Sequence, residues 1–167
     1  MHQVLRDVPL LDEEHAKFIQ GRIAMAAASR GRDNAPSVAR VYGCRVSSDR
    51  QLVTIFVSTQ QSSVLLHDLQ DGAPIAVVFT LPSTHQTLQL KGANASIADL
   101  QDGDARIMQA YGQAFAGELM SLGYQSGFAN AVAAVREGGV VAVTFAPIAA
   151  FVQTPGPSAG TPLDRKS

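Results

Sequence analysis

Tryptophan is absent from this chain, and cysteine occurs once, at Cys44. A lone thiol excludes a disulfide within the chain and leaves no cysteine cluster for zinc. Charge is scarce as well. Only 16% of residues are charged, 13 Lys and Arg against 14 Asp and Glu, for a net charge of −1. No basic run occurs before the last few residues, so the clustered cations that a phosphate backbone requires are missing and nucleic acid is not an expected partner. No apolar run approaches the ~20 residues of a membrane span. The apolar island at 8–11 is too short for a signal-peptide core. These absences point to a soluble, cytoplasmic protein with no membrane partner.

What is present is an aliphatic chain of 167 residues, 46% hydrophobic with a mean hydropathy of +0.08. That length suits one domain able to bury roughly 70% of its unfolded surface. Residues 11–20 read as a helix with Asp12 as N-cap, acidic residues in the first turn and Gly21 as terminator. Residues 22–29, 37–46 and 51–58 read as strands joined by polar turns. A short helix is expected over 62–71, with Ser62 as N-cap, Leu65, Leu66 and Leu69 on one face and Gly72 at its end. Residues 74–81 are continuously apolar, as in a buried strand. Residues 85–95 alternate, with His85, Thr87, Gln89 and Lys91 facing one way and Leu88 and Leu90 the other. Two helices follow, over 104–123 and 126–139, and then a final strand over 140–152 with Pro147 at an edge or bulge. The tail from 153 to 167 is rich in Pro and Gly and reads as irregular. Six strands with helices that do not alternate with them predict a small barrel, of mainly β (α+β) class, with helices at its periphery.

Six small polar residues, Ser58 to Ser63, separate the third strand from the helix at 62–71. Two readings fit them. Ser62 can simply cap a helix at the end of a solvated loop. Alternatively, unpaired amides and hydroxyls at the helix N-terminus form an anion cradle. Arg40 bears on the choice. Strict alternation places it with Val38, Tyr42 and Cys44, and places Gly43 and Arg45 on the other face. A guanidinium on an otherwise apolar face needs an anion or a route to water. With the polar face Thr87-Gln89-Lys91 it would line one cleft for an anion and a ring. Equally, Arg40 and Arg45 could pair with Asp or Glu across the barrel.

The order of these segments over residues 10–100, with the closing strand at 140–152, resembles the pyridoxamine 5′-phosphate oxidase-like FMN-binding split barrels. The resemblance implies a six-stranded antiparallel Greek-key split barrel over residues 1–152 that dimerises with itself and holds FMN at the dimer interface. It makes 153–167 a tail or an arm over a neighbouring subunit. It places Arg40 and Arg45 at flavin phosphate or ring, Val41, Tyr42 and Gly43 between them where backbone meets the ring, and Ser58 and Thr59 near the ribityl chain. Ser62 and Ser63 fall at the phosphate, and Thr87, Gln89 and Lys91 on the strand that reaches the ring. The family's Arg-Lys pair after the serine is replaced by Val64 and Leu65, and the substrate residues of a true pyridoxamine-phosphate oxidase are not evident. The implied function is an FMN-dependent oxidoreductase of unidentified substrate. The alternative is a non-catalytic flavin, deazaflavin or haem-binding module, with His85 the histidine to test. His15, His67 and His85 are too dispersed for a metal site, and Cys44 reads as an inert buried thiol.

Overall fold

A computed structural model of the chain describes residues 8–135 and 138–164. Helix α1 (Glu13–Ile19) starts where expected, with the Asp12 carboxylate accepting from the His15 amide at 2.9 Å. Strands β1 (Ala24–Arg30), β2 (Pro36–Val46) and β3 (Val53–Ser58) follow, then helix α2 (Ser63–Gln70) and strand β4 (Ile75–Thr80). Next come β5 (Thr87–Gly92), β6 (Ala95–Ala98), helices α3 (Asp104–Ser121) and α4 (Ser126–Ala133), β7 (Val140–Phe145), β8 (Ala149–Val152) and β9 (Thr161–Pro162). The expected helix over 126–139 ends at Ala133, and its residues 136 and 137 lie outside the described ones.

The strands form one curled antiparallel sheet, a half-barrel, in the order β6-β7-β3-β2-β1-β4-β5-β8-β9. The described residues therefore hold nine strands where the sequence predicts six. Two expected strands each bend into two. The one at 85–95 breaks after Gly92 into β5 and β6, and the one at 140–152 breaks around Pro147 into β7 and β8. Proline supplies no N–H to a ladder, so the chain turns there. The halves then separate: β5 pairs with β4 and β8, while β6 pairs with β7, which pairs with β3. Gly92 lies at the corner, and a Cβ there would sit 2.7 Å from the Phe145 ring. The tail adds β9, which pairs with β8 through Phe151 and Val152.

Inside the curl, Val41, Ile55, Val57, Val77, Phe79, Leu90 and Val143 are fully buried, and α2 drives Leu65 and Leu69 into the same core. At ~1.5–3 kcal/mol per large apolar side chain, this interior is the main source of stability. Helix α3 lies across the outside of β2, and α4 rests on α3. No helix among the described residues is long and apolar enough to cross a membrane.

Candidate functional site

Strand β2 carries the two predicted arginines, and its register explains where they point. Val41 pairs with Val57 on β3, but the next pair is Cys44 with Ile55, so β2 holds one residue too many between them. This is a bulge at Tyr42-Gly43. Gly43 has φ +139°, and a Cβ on it would press within 3.1 Å of the Phe56 ring. Glycine is required there for both reasons. The bulge corrects the alternation expected from sequence, which put Cys44 with Arg40 and set Arg45 opposite. Ala39, Val41 and Cys44 all pack in the core, which leaves Arg40 and Arg45 on the same outer side. Burial pushes the Cys44 thiol far above its usual range, with the nearby Arg45 charge opposing only in part.

The two arginines then part company. Arg45 Nε meets Asp104 Oδ1 at 2.8 Å, and the same buried carboxylate accepts from the Gln101 amide at 2.9 Å, fixing the start of α3. Arg45 is thereby committed to a structural ion pair. Arg40 has no carboxylate partner among the described residues. Its guanidinium lies 5.4 Å from the Tyr42 ring centre and 5.7 Å from that of Phe115. Such contacts stabilise a cation face-on and leave its N–H edge for an anion. Helix α3 holds Phe115 there. Phe115 stacks on Tyr111 at 5.7 Å, and Tyr111 donates to the Ile23 carbonyl at 2.8 Å. Buried Glu118 accepts from the Ser83 amide and pairs with Arg22, both at 2.9 Å, tying α3 to the chain entering β1 and to the β4–β5 turn.

The polar turn between β3 and α2 closes beside Tyr42, whose hydroxyl donates to Gln61 Oε1 at 2.7 Å. Ser58 is fully buried, and its carbonyl accepts from the Ser62 amide at 3.0 Å. Thr59 donates its amide to the Gly139 carbonyl at 3.1 Å, so the segment before β7 packs on this turn. Ser62 occupies the N-cap position but makes no capping bond. Its Oγ is buried with no partner, and the residue is 2% exposed. Ser63 is exposed on the first turn. Val64 is exposed beside it, while Leu65 is buried in the core, so a lysine at 65 could not have been accommodated.

Across the sheet, the register lines up Arg40 with Ala26, Ala26 with Val78, and Val78 with Gln89. Arg40 and Gln89 thus flank a floor of small apolar side chains about 14 Å wide at ~4.8 Å per strand. Gln89 accepts from Gln153 Nε2 at 3.3 Å. Thr87 is taken up locally, against Thr80 at 3.0 Å and the His85 carbonyl at 2.9 Å. Lys91 is exposed, its Nζ 5.1 Å from the Phe151 ring, and it joins Arg30 around a cavity of about 520 Å³ floored by Ala28, Ile75 and Ala76. His85 is exposed in the β4–β5 turn with φ +60°. Among the described residues no group of three metal-ligating side chains forms.

The structure therefore brings Arg40 against Tyr42, ties Tyr42 to Gln61, the residue before Ser62, and sets Gln89 and Lys91 across the floor. Gln61 and Phe115 escaped sequence reading. Gln61 is one of six similar polar residues, and nothing in the spacing of Phe115 on its helix marks it as facing Arg40.

No protein-family model matches the chain, and no curated protein matches its sequence. Solved structures do match. An F420 reductase has 11% identity and a TM-score of 0.54 over 84% of this chain and 98% of its own. A Lactobacillus delbrueckii protein provisionally called a pyridoxamine 5′-phosphate oxidase has 13% identity and a TM-score of 0.52, over 85% and 93%. Group A Streptococcus HupZ has 14% identity and a TM-score of 0.53, over 90% and 99%.

Proposed function

We propose that this chain, which has the fold of the pyridoxamine 5′-phosphate oxidase-like proteins, binds a flavin mononucleotide between two copies of itself and serves as a cytoplasmic oxidoreductase. The observation that carries the reading is Arg40. A guanidinium held between aromatic rings, with no carboxylate partner among the described residues, stands at the edge of a floor of small side chains. The floor suits a planar ring, and Gln89 offers an amide at its far edge. The unpartnered Ser62 hydroxyl and the first amides of α2 suit a phosphate. Val38, 67% exposed on the same outer face, is suited to being covered by a second copy.

Bound FMN would supply the hydride or electron transfer. The chain's residues would hold and orient it and keep water off the floor. The residues fit the group, with a weaker grip on phosphate than an Arg-Lys pair provides. Losing two charge-assisted contacts of ~1.5–3 kcal/mol each would lower affinity by about 2–4 kcal/mol, allowing for non-additivity.

Val64 and Leu65 favour a second reading, in which the chain holds a flavin, a deazaflavin or haem without turnover. The visible spectrum of the purified protein, before and after FMN is added and gel filtration repeated, tests the cofactor, and reaction of the loaded protein with a nicotinamide or oxygen separates turnover from mere binding. Two flavin bands that travel with the protein are expected. A protein that stays colourless after FMN is supplied would overturn the FMN assignment.

A further inference from the structure

From Leu119 to Val135 the chain carries no Asp, Glu, Lys or Arg. This stretch ends α3, turns and forms α4. A helix lying on a protein surface ordinarily turns one apolar stripe inward and a charged face outward. Helix α4 departs from that pattern. Ala129 and Ala133 are buried and half-buried Val132 packs beside them, while Phe128 and Ala131 face water and exposed Val135 follows just past the helix end. Phe128 and Tyr124 are 53% and 50% exposed, their rings stacked at 5.2 Å. Five of the nine exposed large apolar side chains among the described residues fall in this one segment, so the clustering is not ordinary surface scatter.

We propose that this outer face of α4, with the turn before it, is a docking surface for a second copy of the chain, related by a twofold axis passing close to α4. Charge decides the occupant. Near a twofold axis each residue faces its own copy, where any charge would meet its like at a cost. A face without charges is complementary to itself. An anionic membrane surface is usually met by lysine and arginine beside the apolar face, and this stretch has neither. A charged protein partner would call for opposite charges here. At ~150–250 Å² per large side chain, the five, which run from the end of α3 through the turn and α4 to just past it, together leave on the order of 400–500 Å² of apolar surface in water. That is about half of the ~800 Å² per partner in a standard interface, and the uncharged Ser, Asn and Gln around them supply a rim.

The contact is independent of the flavin reading. Helix α4 rests on α3, one layer outside β2 and its arginines, so both contacts can form in one molecule. An assembly larger than a dimer results.

Sedimentation velocity at micromolar concentration tests it, comparing the wild-type protein with a variant combining Tyr124→Lys and Phe128→Lys. The variant is expected to sediment at half the wild-type mass, with unchanged thermal unfolding because both side chains already face water. A second variant guards against a folding artefact. Oxidised Ala131→Cys should form covalent dimers, whereas Glu13→Cys, at a fully accessible position on α1, should not. Cys44 is buried and does not interfere. Equal masses for wild type and variant, or no Ala131→Cys dimer, would overturn the proposal. So would wild-type binding to anionic vesicles that the lysine variant loses, which would name lipid as the occupant.

Discussion

Tyr42 and Gln61 tie strand β2 to the amino end of α2 through a single 2.7 Å hydrogen bond, with the phenol donating. The same ring receives the Arg40 guanidinium. One side chain thus couples the cation to the hydroxyl-rich turn. Tyr42→Phe keeps the ring and frees Gln61. It should cost about 0.5–1.5 kcal/mol of stability and weaken FMN binding several-fold, measured by urea unfolding and by flavin fluorescence titration.

Arg40 and Arg45 should separate function from stability. Arg40→Ala is expected to weaken FMN binding by about 10- to 100-fold, equivalent to ~1.5–3 kcal/mol for a charge-assisted contact. Its unfolding should change little. Arg45→Ala leaves buried Asp104 without its cation, and should cost about 1–3 kcal/mol of stability with flavin affinity nearly intact. Unchanged flavin occupancy in Arg40→Ala would remove the basis of the proposed function.

Ser62→Ala should move two quantities in opposite directions. Its hydroxyl is buried without a partner, so deleting it from the flavin-free protein should leave stability unchanged or raise it by up to about 1 kcal/mol. Affinity for FMN should fall. An affinity equal to wild type would reduce the turn to a plain helix start.

The two positions after Ser63 should respond differently to a cation. Val64→Arg adds charge at an exposed site beside the helix amides, and should tighten FMN binding by up to about tenfold without loss of stability. Leu65→Arg puts an unpaired charge into the core and should destabilise by about 3–5 kcal/mol. Thermal unfolding and flavin titration of both variants read this out.

Stability should fall at alkaline pH. The folded protein holds the Cys44 thiol proton far above the usual range because the site is desolvated. Below the unfolded value of ~8.5 both states keep the proton, and the group adds no pH dependence. Above it only the unfolded chain ionises, so stability drops by up to about 1.4 kcal/mol per pH unit. Buried Tyr111, also shifted upward by desolvation, should add to the slope above ~10. Cys44→Ala should flatten the decline between pH 8.5 and 10, measured by urea titration.

The strand-forming stretches were legible because β-branched and apolar residues alternate or run together between Gly, Pro and polar turns. The bends were not. A single proline at 147 announced one of them only as an edge or bulge, and Gly92 gave no local sign that Phe145 would pack on it. The bulge at Gly43 was invisible for a related reason, since an extra residue changes register without changing composition. That bulge decided which way both arginines face. Asp104 could not be matched to Arg45 either, because 59 residues separate them and only the return of α3 over β2 brings them together.

The two bent strands also set an order of events. β1, β2 and β3 pair with sequence neighbours, β4 adds to β1 and β5 to β4, all within the first 92 residues. The free edges of β3 and β5 both wait for one segment, β7–β8, which the ribosome delivers last among the large strands. Until it emerges, a nascent chain carries two open edges and an uncovered interior, the state most prone to pairing with another copy. Closure is then a late, long-range step that sets a slow folding rate, and residues 140–152 act as its latch.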